Sequence, residues 1–368
     1  MSQAQAAAPG VTRRTTAKRG EWILVALSIV FALGAMEVVA RIMFPAPAPW
    51  LYPQIRYRAD PALVFALESN QAAYTADRTA AINERGFRGP VLPYVRTPGT
   101  TRILYLGDSI TFGYGVDEGE SFPQKTAQLL AKQGIHTENI NSAVPSYNSE
   151  QEVTFLRNEG FRYQPDWVVV GICWNDINEK SGVRVSRNGS LIEETSDDSS
   201  ATGRLWDSRI GFELRNIVKR SRLLYSAMRG LRAVTGKAQP ESHDTFRSDV
   251  LAGNDSDKVS RGWMRMQADM HRLAQLSKQH GFRPLLVAFP MSLSMDGTHP
   301  NSSYPTRLKE IAQREQLPMI DLHPIYQARF RGHESLFLAY DADHPNAAGH
   351  LLAAQAVADY IKAVAPAK

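Results

Sequence analysis

Short apolar runs recur along the chain, and longer segments with the spacing of amphipathic helices separate them. Buried strands are predicted at residues 102–106, 137–141, 167–172, 284–289 and 318–322, with a small edge piece at 336–338. Helices are predicted at residues 122–133, 150–159, 262–280 and 346–364. Strands that alternate with helices pair into a parallel sheet with helices on both faces, so the pattern predicts an α/β fold.

The most apolar part of the chain lies near its start. From Trp22 to Met36 no residue is charged, and the apolar character continues to Phe44 beyond Glu37 and Arg41. If Glu37 and Arg41 pair at one membrane interface, a helix over residues 22–44 is about 34 Å long, which is enough to cross a bilayer. Four basic residues precede it within residues 1–21. The positive-inside rule therefore predicts a cytoplasmic basic tail and an exported, periplasmic or extracytoplasmic, remainder.

Two other interpretations of the apolar segment remain open. Residues 46–48 offer the small side chains of a cleaved signal peptide, although Pro49 is a poor residue after the scissile bond. The charges at Glu37 and Arg41 fit a buried core helix instead. The favoured prediction is an uncleaved single-pass anchor at residues 22–44, which makes the lipid bilayer a partner.

The chain changes character after this helix. Four prolines between residues 45 and 53 predict a stiff spacer, and a turn-rich segment with Arg85 and Arg88 follows. Those arginines either belong to a loop packed across the sheet edge or contact substrate. Residues 45–100 are predicted to be a spacer and pre-domain segment, and residues 101–366 the folded domain.

The alternation of strands and helices lapses at about residues 177–261. Polar stretches there flank a helical stripe of apolar side chains, namely Ile210, Leu214, Ile217, Leu224, Met228 and Leu231. This insertion is interpreted as a helix that packs on the domain. A basic helix that rests on an anionic membrane or caps the active site is the alternative.

Composition and charge narrow the class of protein. With 43% hydrophobic and 21% charged residues, the chain has a globular composition. The net charge of +5 comes from the N-terminal tail and from residues 204–237, and the rest of the chain is net negative. No nucleic-acid partner is therefore predicted. Because Cys173 is the only cysteine, no intramolecular disulfide and no cysteine-rich metal site can form.

Polar residues follow the predicted strands, where the loops of a parallel sheet build a site. They are Ser109, Ser146, Asn175 and the segment that runs from Asp341 to His344. The tripeptide Gly107-Asp108-Ser109 has two interpretations. It is either a turn in which Asp108 or Ser109 caps a helix, or a strand end that presents Ser109 as a nucleophile.

A serine nucleophile needs a base, a group that orients the base, and donors for the oxyanion. His344 supplies a base, and Asp341, three residues earlier, can reach the same imidazole within one turn. Asn175 offers a side-chain amide to the oxyanion, and Ser109 and Ser146 offer backbone N–H groups. The sequence therefore holds a candidate for each role.

Other kinds of site fit less well. Asp341, Asp343 and His344 are possible metal ligands, but no second cluster with ligand spacing accompanies them, so neither a metal nor a cofactor is predicted. The Gly-x-Ser-x-Gly elbow of α/β-hydrolases is absent, because glycine recurs only at Gly113. The segment also does not match a phosphate-binding loop.

The motifs Gly107-Asp108-Ser109, Asn175-Asp176 and Asp341-x-x-His344 resemble, in order and setting, those of the SGNH hydrolases, also called the GDSL esterase/lipase superfamily. The resemblance covers some 250 residues and looks like a membrane-anchored bacterial branch. It implies a flavodoxin-like three-layer α/β/α sandwich. It also implies Ser109 as nucleophile, His344 as base, Asp341 as its orienter, and an oxyanion hole of Ser109, Ser146 and Asn175.

One position departs from the family pattern. Ser146 stands where the family usually has its oxyanion-hole glycine, so the N–H is kept but the backbone angles are restricted. The favoured function is a serine esterase that hydrolyses short-chain acyl esters on an extracytoplasmic glycan or lipid. An O-acyltransferase that acts on an envelope polysaccharide is the alternative. A catalytically inactive binding module, supported only by Ser146, is the third hypothesis.

Overall fold

The structure is a computed structural model that describes residues 15–43, 50–178, 182–194, 201–234, 242–295, 297 and 304–364. Its strands are β1 (Tyr57–Asp60), β2 (Val64–Leu67), β3 (Gln71–Thr75), β4 (Arg78–Ile82), β5 (Thr101–Gly107), β6 (Thr137–Asn141), β7 (Trp167–Ile172), β8 (Val183–Val185), β9 (Leu191–Glu193), β10 (Arg283–Ala288) and β11 (Met319–Asp321). The first helices are α1 (Thr15–Met43), α2 (Ser109–Phe112), α3 (Phe122–Lys132), α4 (Ser149–Asn158), α5 (Ala201–Trp206), α6 (Arg209–Arg220) and α7 (Arg222–Val234). The remaining helices are α8 (Ser242–Ala252), α9 (Asp257–His280), α10 (Tyr304–Arg314), α11 (His323–Gln327), α12 (His333–Leu336) and α13 (Ala347–Val364).

Two sequence predictions lie outside the described residues. They are the first part of the basic tail, residues 1–14, and the proline-rich stretch at 44–49. The predicted edge strand at 336–338 is instead the end of α12 followed by a single antiparallel bridge between Phe337 and Pro345.

Five parallel strands form the central sheet, in the order β11-β10-β7-β5-β6. Counted along the chain within this sheet, the order is 2-1-3-4-5, which is the flavodoxin-like arrangement, so the predicted fold class is confirmed. The order reverses between β5 and β7. Ligands bind outside the carboxyl ends of strands at such a reversal. The loops after β5 and β7 are therefore where a site is expected.

Helices cover both faces of this sheet. The ring of Tyr105 lies 5.6 Å from that of Phe122 in α3, whereas its neighbour Leu104 approaches Gly160, directly after α4. Successive strand residues point to opposite faces, so α3 and α4 lie on opposite sides and the domain has three layers. β7 is buried along its whole length, which explains why its sequence is a continuous apolar run.

Glycines at the carboxyl ends of β5 and β7 let the first turn of α2 sit against the sheet. Gly107 and Gly171 are paired in register, and the Thr111 side chain fills the space above both. A Cβ at Gly107 would lie 2.1 Å from Thr111 Oγ1, and one at Gly171 would lie 2.2 Å from it. The chain also turns at Gly107 with φ +149°. Only glycine fits this approach.

Small antiparallel hairpins, β1–β2, β3–β4 and β8–β9, lie in the same compact unit as the sheet. They share a second apolar cluster with Phe112 of α2 and with Tyr147 in the loop before α4. Arg88 bridges to Asn141 at the edge strand β6 and is 3% exposed. It donates to the carbonyl oxygens of Phe112, Gly113 and Val116. The interpretation of this segment as a loop packed across the sheet edge is therefore confirmed.

A smaller unit holds α1, the end of α6 from Ile217, and α7. Within α1, the segment Gly20–Met43 is long and apolar enough to cross a membrane. Only 6% of its most apolar 18 residues are buried. Arg41 Nε donates to Glu37 Oε1 over 2.9 Å, which is the pairing that the membrane-spanning interpretation assumed. The apolar stripe predicted as one helix is divided at Ser221 between α6 and α7.

Candidate active site

The turn after β5 combines both interpretations of Gly107-Asp108-Ser109. Asp108 Oδ1 accepts a hydrogen bond of 2.9 Å from the Ile110 N–H and so caps α2. Ser109 is the first residue of α2, and its side chain is not used in the cap. The cap fixes the turn, and Ser109 Oγ is left to face the loop that carries His344.

Three side chains form a continuous hydrogen-bonded row at this edge of the sheet. Ser109 Oγ lies 2.7 Å from His344 Nε2, and His344 Nδ1 lies 2.6 Å from Asp341 Oδ2. The N–H groups of Asp343 and His344 donate to the other oxygen of Asp341, over 2.8 and 3.3 Å. The Asp341 carboxylate is thus held by its own turn while it holds the imidazole. This is the geometry in which a base can take the proton of a serine.

The charges of the row shift both pKa values. Burial raises the pKa of Asp341, but the adjacent His344 charge and the hydrogen bonds from His344 and the two N–H groups outweigh it and bring the pKa to about 2. Burial lowers the pKa of His344, but Asp341, with Asp343 and Asp108 nearby, outweighs it and raises the pKa. Asp341 is therefore ionised at neutral pH, and it stabilises the imidazolium that forms when His344 takes a proton.

Asn175 is presented by a short 3₁₀ helix, Trp174–Ile177, directly after β7. The buried Cys173 thiol lies 2.9 Å from Asn175 Oδ1 and 3.2 Å from Asp108 Oδ2. Burial, followed by the nearby Asp108 and Asp176, raises the pKa of Cys173 well above its ordinary value, so it stays a thiol. When the thiol donates to Oδ1, the Asn175 amide nitrogen is left to donate elsewhere. Cys173, which sequence reasoning passed over, thus connects the nucleophile turn with Asn175.

Replacing Cys173 tests this connection. Cys173→Ala removes the donor to Asn175 Oδ1, so we expect kcat to fall by about tenfold, a part of what loss of a whole oxyanion donor costs, with KM little changed. Cys173→Ser keeps a donor at the same place and should restore most of kcat. Steady-state kinetics on both variants provide the measurement. A Cys173→Ala enzyme with unchanged kcat would show that the thiol does not position Asn175.

Two buried carboxyl groups, those of Asp176 and Glu152, lie close to the loop that holds Asn175. Asp176 Oδ2 accepts the Cys173 N–H over 2.6 Å, and the carboxyl group of Glu152 in α4 lies near Asp176. Glu152 is 1% exposed, and burial together with Asp176, Asp108 and Asp269 raises its pKa well above the ordinary value. Burial and the neighbouring carboxylates therefore favour the neutral form of Glu152. Sequence reasoning missed this contact.

Ser146 follows β6 in a loop tied to the nucleophile turn. The N–H of Val144 donates to the carbonyl oxygen of Gly107 over 3.1 Å, two residues before Ser109. Ser146 has φ +75°, in the left-handed region that glycine prefers, and its side chain is exposed among buried neighbours. The serine therefore adopts a backbone conformation that suits glycine, which is the usual residue at this position in the SGNH hydrolases that the sequence resembles.

The positive φ at Ser146 predicts a stability difference between two variants. Ser146→Gly relieves the steric cost of this conformation and should preserve the free energy of unfolding and the activity. Ser146→Val adds a branched Cβ and should be less stable than Ser146→Gly by about 1–2 kcal/mol. Denaturant unfolding compares the two. Equal stabilities would mean that residue 146 does not hold the left-handed conformation.

A family model described as GDSL-like lipase/acylhydrolase matches residues 105–352, a span that contains Ser109, Asn175, Asp341 and His344. The chain belongs to this family. The acylhydrolase is therefore a carboxylic ester hydrolase, and the resemblance drawn from its motifs is confirmed.

Several solved structures are similar to the acylhydrolase at low identity. Axe2, an acetylxylan esterase from Geobacillus stearothermophilus, is 14% identical with a TM-score of 0.41, over 73% of this chain and 97% of its own. TesA is 14% identical with a TM-score of 0.41, over 72% and 99% of the two chains. LAE5, an alpha/beta hydrolase enzyme from the metagenome of Lake Arreo, Spain, is 15% identical with a TM-score of 0.41, over 73% and 96%. No curated protein matches the chain.

Tyr114 lies beside the row and Trp50 lies next to Tyr114, and sequence reasoning singled out neither. The Tyr114 ring lies 5.0 Å from the His344 ring at an interplanar angle of 37°, and its hydroxyl donates to Gln54 Oε1 over 3.4 Å. Trp50 lies 6.1 Å from Tyr114 and is 39% exposed. Within the described part of the acylhydrolase, no group of three or more His, Cys, Asp and Glu side chains is arranged to hold a metal ion.

Proposed function

We propose that the acylhydrolase is a serine esterase that hydrolyses short-chain acyl esters on an extracytoplasmic glycan or lipid. The observation that carries the proposal is the row from Ser109 Oγ through His344 to Asp341, with distances of 2.7 and 2.6 Å. It lies outside the carboxyl end of β5, where the strand order reverses. Ser109 is assigned as nucleophile, His344 as base and Asp341 as the group that orients the base.

In the acylation step Ser109 Oγ attacks the ester carbonyl carbon while its proton passes to His344 Nε2. The negative charge that develops on the carbonyl oxygen is stabilised by the N–H groups of Ser109 and Ser146 and by the Asn175 amide. Collapse of the tetrahedral intermediate expels the alcohol, which takes the proton from His344. Water then attacks the acyl-enzyme, with His344 again as base, and releases the carboxylic acid.

Transfer of the acyl group to a sugar hydroxyl is the second candidate, because it uses the same acyl-enzyme. The half-exposed Trp50 beside Tyr114 favours an acceptor with an apolar face, such as a sugar ring, near His344. The two candidates differ in what attacks the acyl-enzyme. A binding module without activity is disfavoured by the alignment of the whole row.

One experiment separates these candidates. The purified protein is given p-nitrophenyl esters of increasing acyl length, with and without added glycan acceptors, and p-nitrophenol, free acid and acylated glycan are measured. Esterase activity predicts p-nitrophenol and an equal amount of free acid, highest for short acyl groups. Acylated glycan at the expense of free acid would identify a transferase. No p-nitrophenol from any ester would leave only the binding module.

For the domain organisation, we propose a cytoplasmic tail at residues 1–21, an anchor at 22–44 and an exported hydrolase domain within 101–366, preceded by the segment 45–100. The support is the apolar span Gly20–Met43, whose residues are exposed except at Glu37 and Ala40. A helix of this length and exposure needs an apolar surrounding.

The anchor predicts how the protein leaves membranes. Because the apolar span is held by burial in hydrocarbon, detergent should extract the full-length protein, whereas high salt or carbonate should leave it in the pellet. Fractionation of membranes with an immunoblot gives the measurement. Release of most of the protein by high salt would exclude the anchor and favour a peripheral attachment.

A further inference from the structure

Helix α7 and the end of α1 are joined by one partly exposed carboxylate, that of Glu37. Glu37 accepts hydrogen bonds from Ser221 Oγ over 2.8 Å and from the N–H groups of Arg222 and Leu223 over 3.0 Å each. These N–H groups belong to the first turn of α7, and an α-helix contains no acceptor for the N–H groups of its own first turn. A carboxylate at this position also offsets the helix dipole. Glu37 therefore fixes the start of α7 at the level of the last two turns of α1.

The contact between α7 and α1 is confined to the last two turns of α1. Within Gly20–Met43, only Glu37 and Ala40 are covered, and every other residue is exposed. α7 therefore does not run alongside the apolar part of α1. With 13 residues it is about 20 Å long, which is shorter than the hydrocarbon core, and its arginines would be costly there. α7 cannot be a second membrane span.

The sequence of α7 is amphipathic. Leu224, Ala227, Met228 and Leu231 follow the i, i+3, i+4, i+7 spacing of one helix face. Leu224 is 44% exposed and Leu231 is 65% exposed. The sequence of α7, residues 222–234, carries three basic and no acidic residues. A basic polar side and an exposed apolar face are typical of helices that lie in a membrane interface.

We propose that α7 lies in the interface of the bilayer that α1 crosses, with the Leu224–Leu231 face in the acyl-chain boundary and its basic residues at anionic headgroups. The inference rests on the proposed anchor, because Glu37 places α7 relative to α1. In this position α7 is a second lipid contact of the protein, on the exported side of the membrane. Charge favours this occupant, since basic residues are attracted to an anionic membrane surface.

The test uses full-length protein in nanodiscs of mixed phosphatidylcholine and phosphatidylglycerol. An environment-sensitive fluorophore is attached to a single introduced cysteine, and Cys173 does not compete because it is buried. Leu224→Cys and Leu231→Cys report the apolar face. Gly230→Cys is the matched control, because residue 230 is exposed, has open space around it and lies about 100° around the helix from residue 231. Ala32→Cys, in the middle of the apolar span, reports the anchor.

Lipids with a spin label near the headgroup should quench the labels at 224 and 231 by about half or more, and at least about twice as much as the label at 230. In nanodiscs of phosphatidylcholine alone, that quenching should fall. If the labels at 224 and 231 are quenched no more strongly than the label at 230, the interfacial helix is overturned. If a deep spin label still quenches the label at 32 in that case, the anchor stands. An unquenched label at 32 would overturn the anchor as well. Quenching equal in both lipid mixtures would overturn the role of the basic residues.

Discussion

Ser109→Ala is expected to lower kcat for p-nitrophenyl ester hydrolysis on the order of 10⁶-fold. The substitution removes only the hydroxyl that faces His344 Nε2 at 2.7 Å. Asp108 still caps α2, because that bond runs to the Ile110 N–H and does not involve the serine side chain. The loss should therefore be in chemistry and not in folding.

The measurement is the rate of p-nitrophenol release by purified wild-type and variant protein, with thermal unfolding of both as the control for the fold. A variant that unfolds at the wild-type temperature but has lost turnover agrees with the assignment. Ser142→Ala is a comparison variant, because its buried hydroxyl donates to the Tyr105 carbonyl oxygen and makes no other hydrogen bond among the described residues. It should keep most of the activity. Turnover by Ser109→Ala within tenfold of wild type would exclude Ser109 as nucleophile.

Asp341→Asn is expected to lower kcat/KM by about 10⁴-fold. The amide can no longer stabilise the imidazolium by charge, and its NH₂ group favours the wrong tautomer of His344. Asp343→Asn is the matched control two residues away, since its side chain faces Arg247 at 3.7 Å and lies outside the row. That variant should lose at most a few-fold. An Asp341→Asn variant within tenfold of wild type would show that His344 needs no orienting carboxylate.

The pH dependence of kcat/KM gives a second prediction for Asp341→Asn. His344 works as a base only when neutral, so wild-type kcat/KM should rise with pH through the pKa of His344, which lies above its ordinary value of about 6.5. Asp341 is largely responsible for that rise, because it favours the charged imidazole. Its neutralisation should therefore move the acid limb of the residual activity to lower pH. An acid limb that stays in place would contradict the assigned pair.

The sequence predicted those parts of the molecule in which neighbouring residues determine the structure. β6 and β7 have the predicted bounds, because a buried parallel strand is a continuous apolar run between polar turns. β11 is shorter than predicted at both ends. Ser109, Asn175, Asp341 and His344 were identified because loops after parallel strands meet at one edge, and three of them lie in one hydrogen-bonded row.

Contacts between distant parts of the chain were not predictable. Cys173 lies 65 residues from Asp108, and a lone cysteine in an apolar run gives no periodic signal for its contact. Glu152 shares a helix face with the buried Phe155 and Leu156, but nothing in the sequence indicates that its neighbour there is Asp176 from another loop. The helix that the apolar stripe suggested ends at Ser221, where Glu37, 184 residues away, accepts the hydroxyl.

The most direct test of the central claim is covalent labelling by a fluorophosphonate, with the labelled peptide identified by mass spectrometry. The reagent phosphorylates a serine that is activated by a neighbouring base. The account predicts one adduct per chain, on Ser109, that is lost in Ser109→Ala and forms far more slowly in Asp341→Asn. An adduct on a different residue, or an unlabelled Ser109 in a protein that turns over esters, would contradict it.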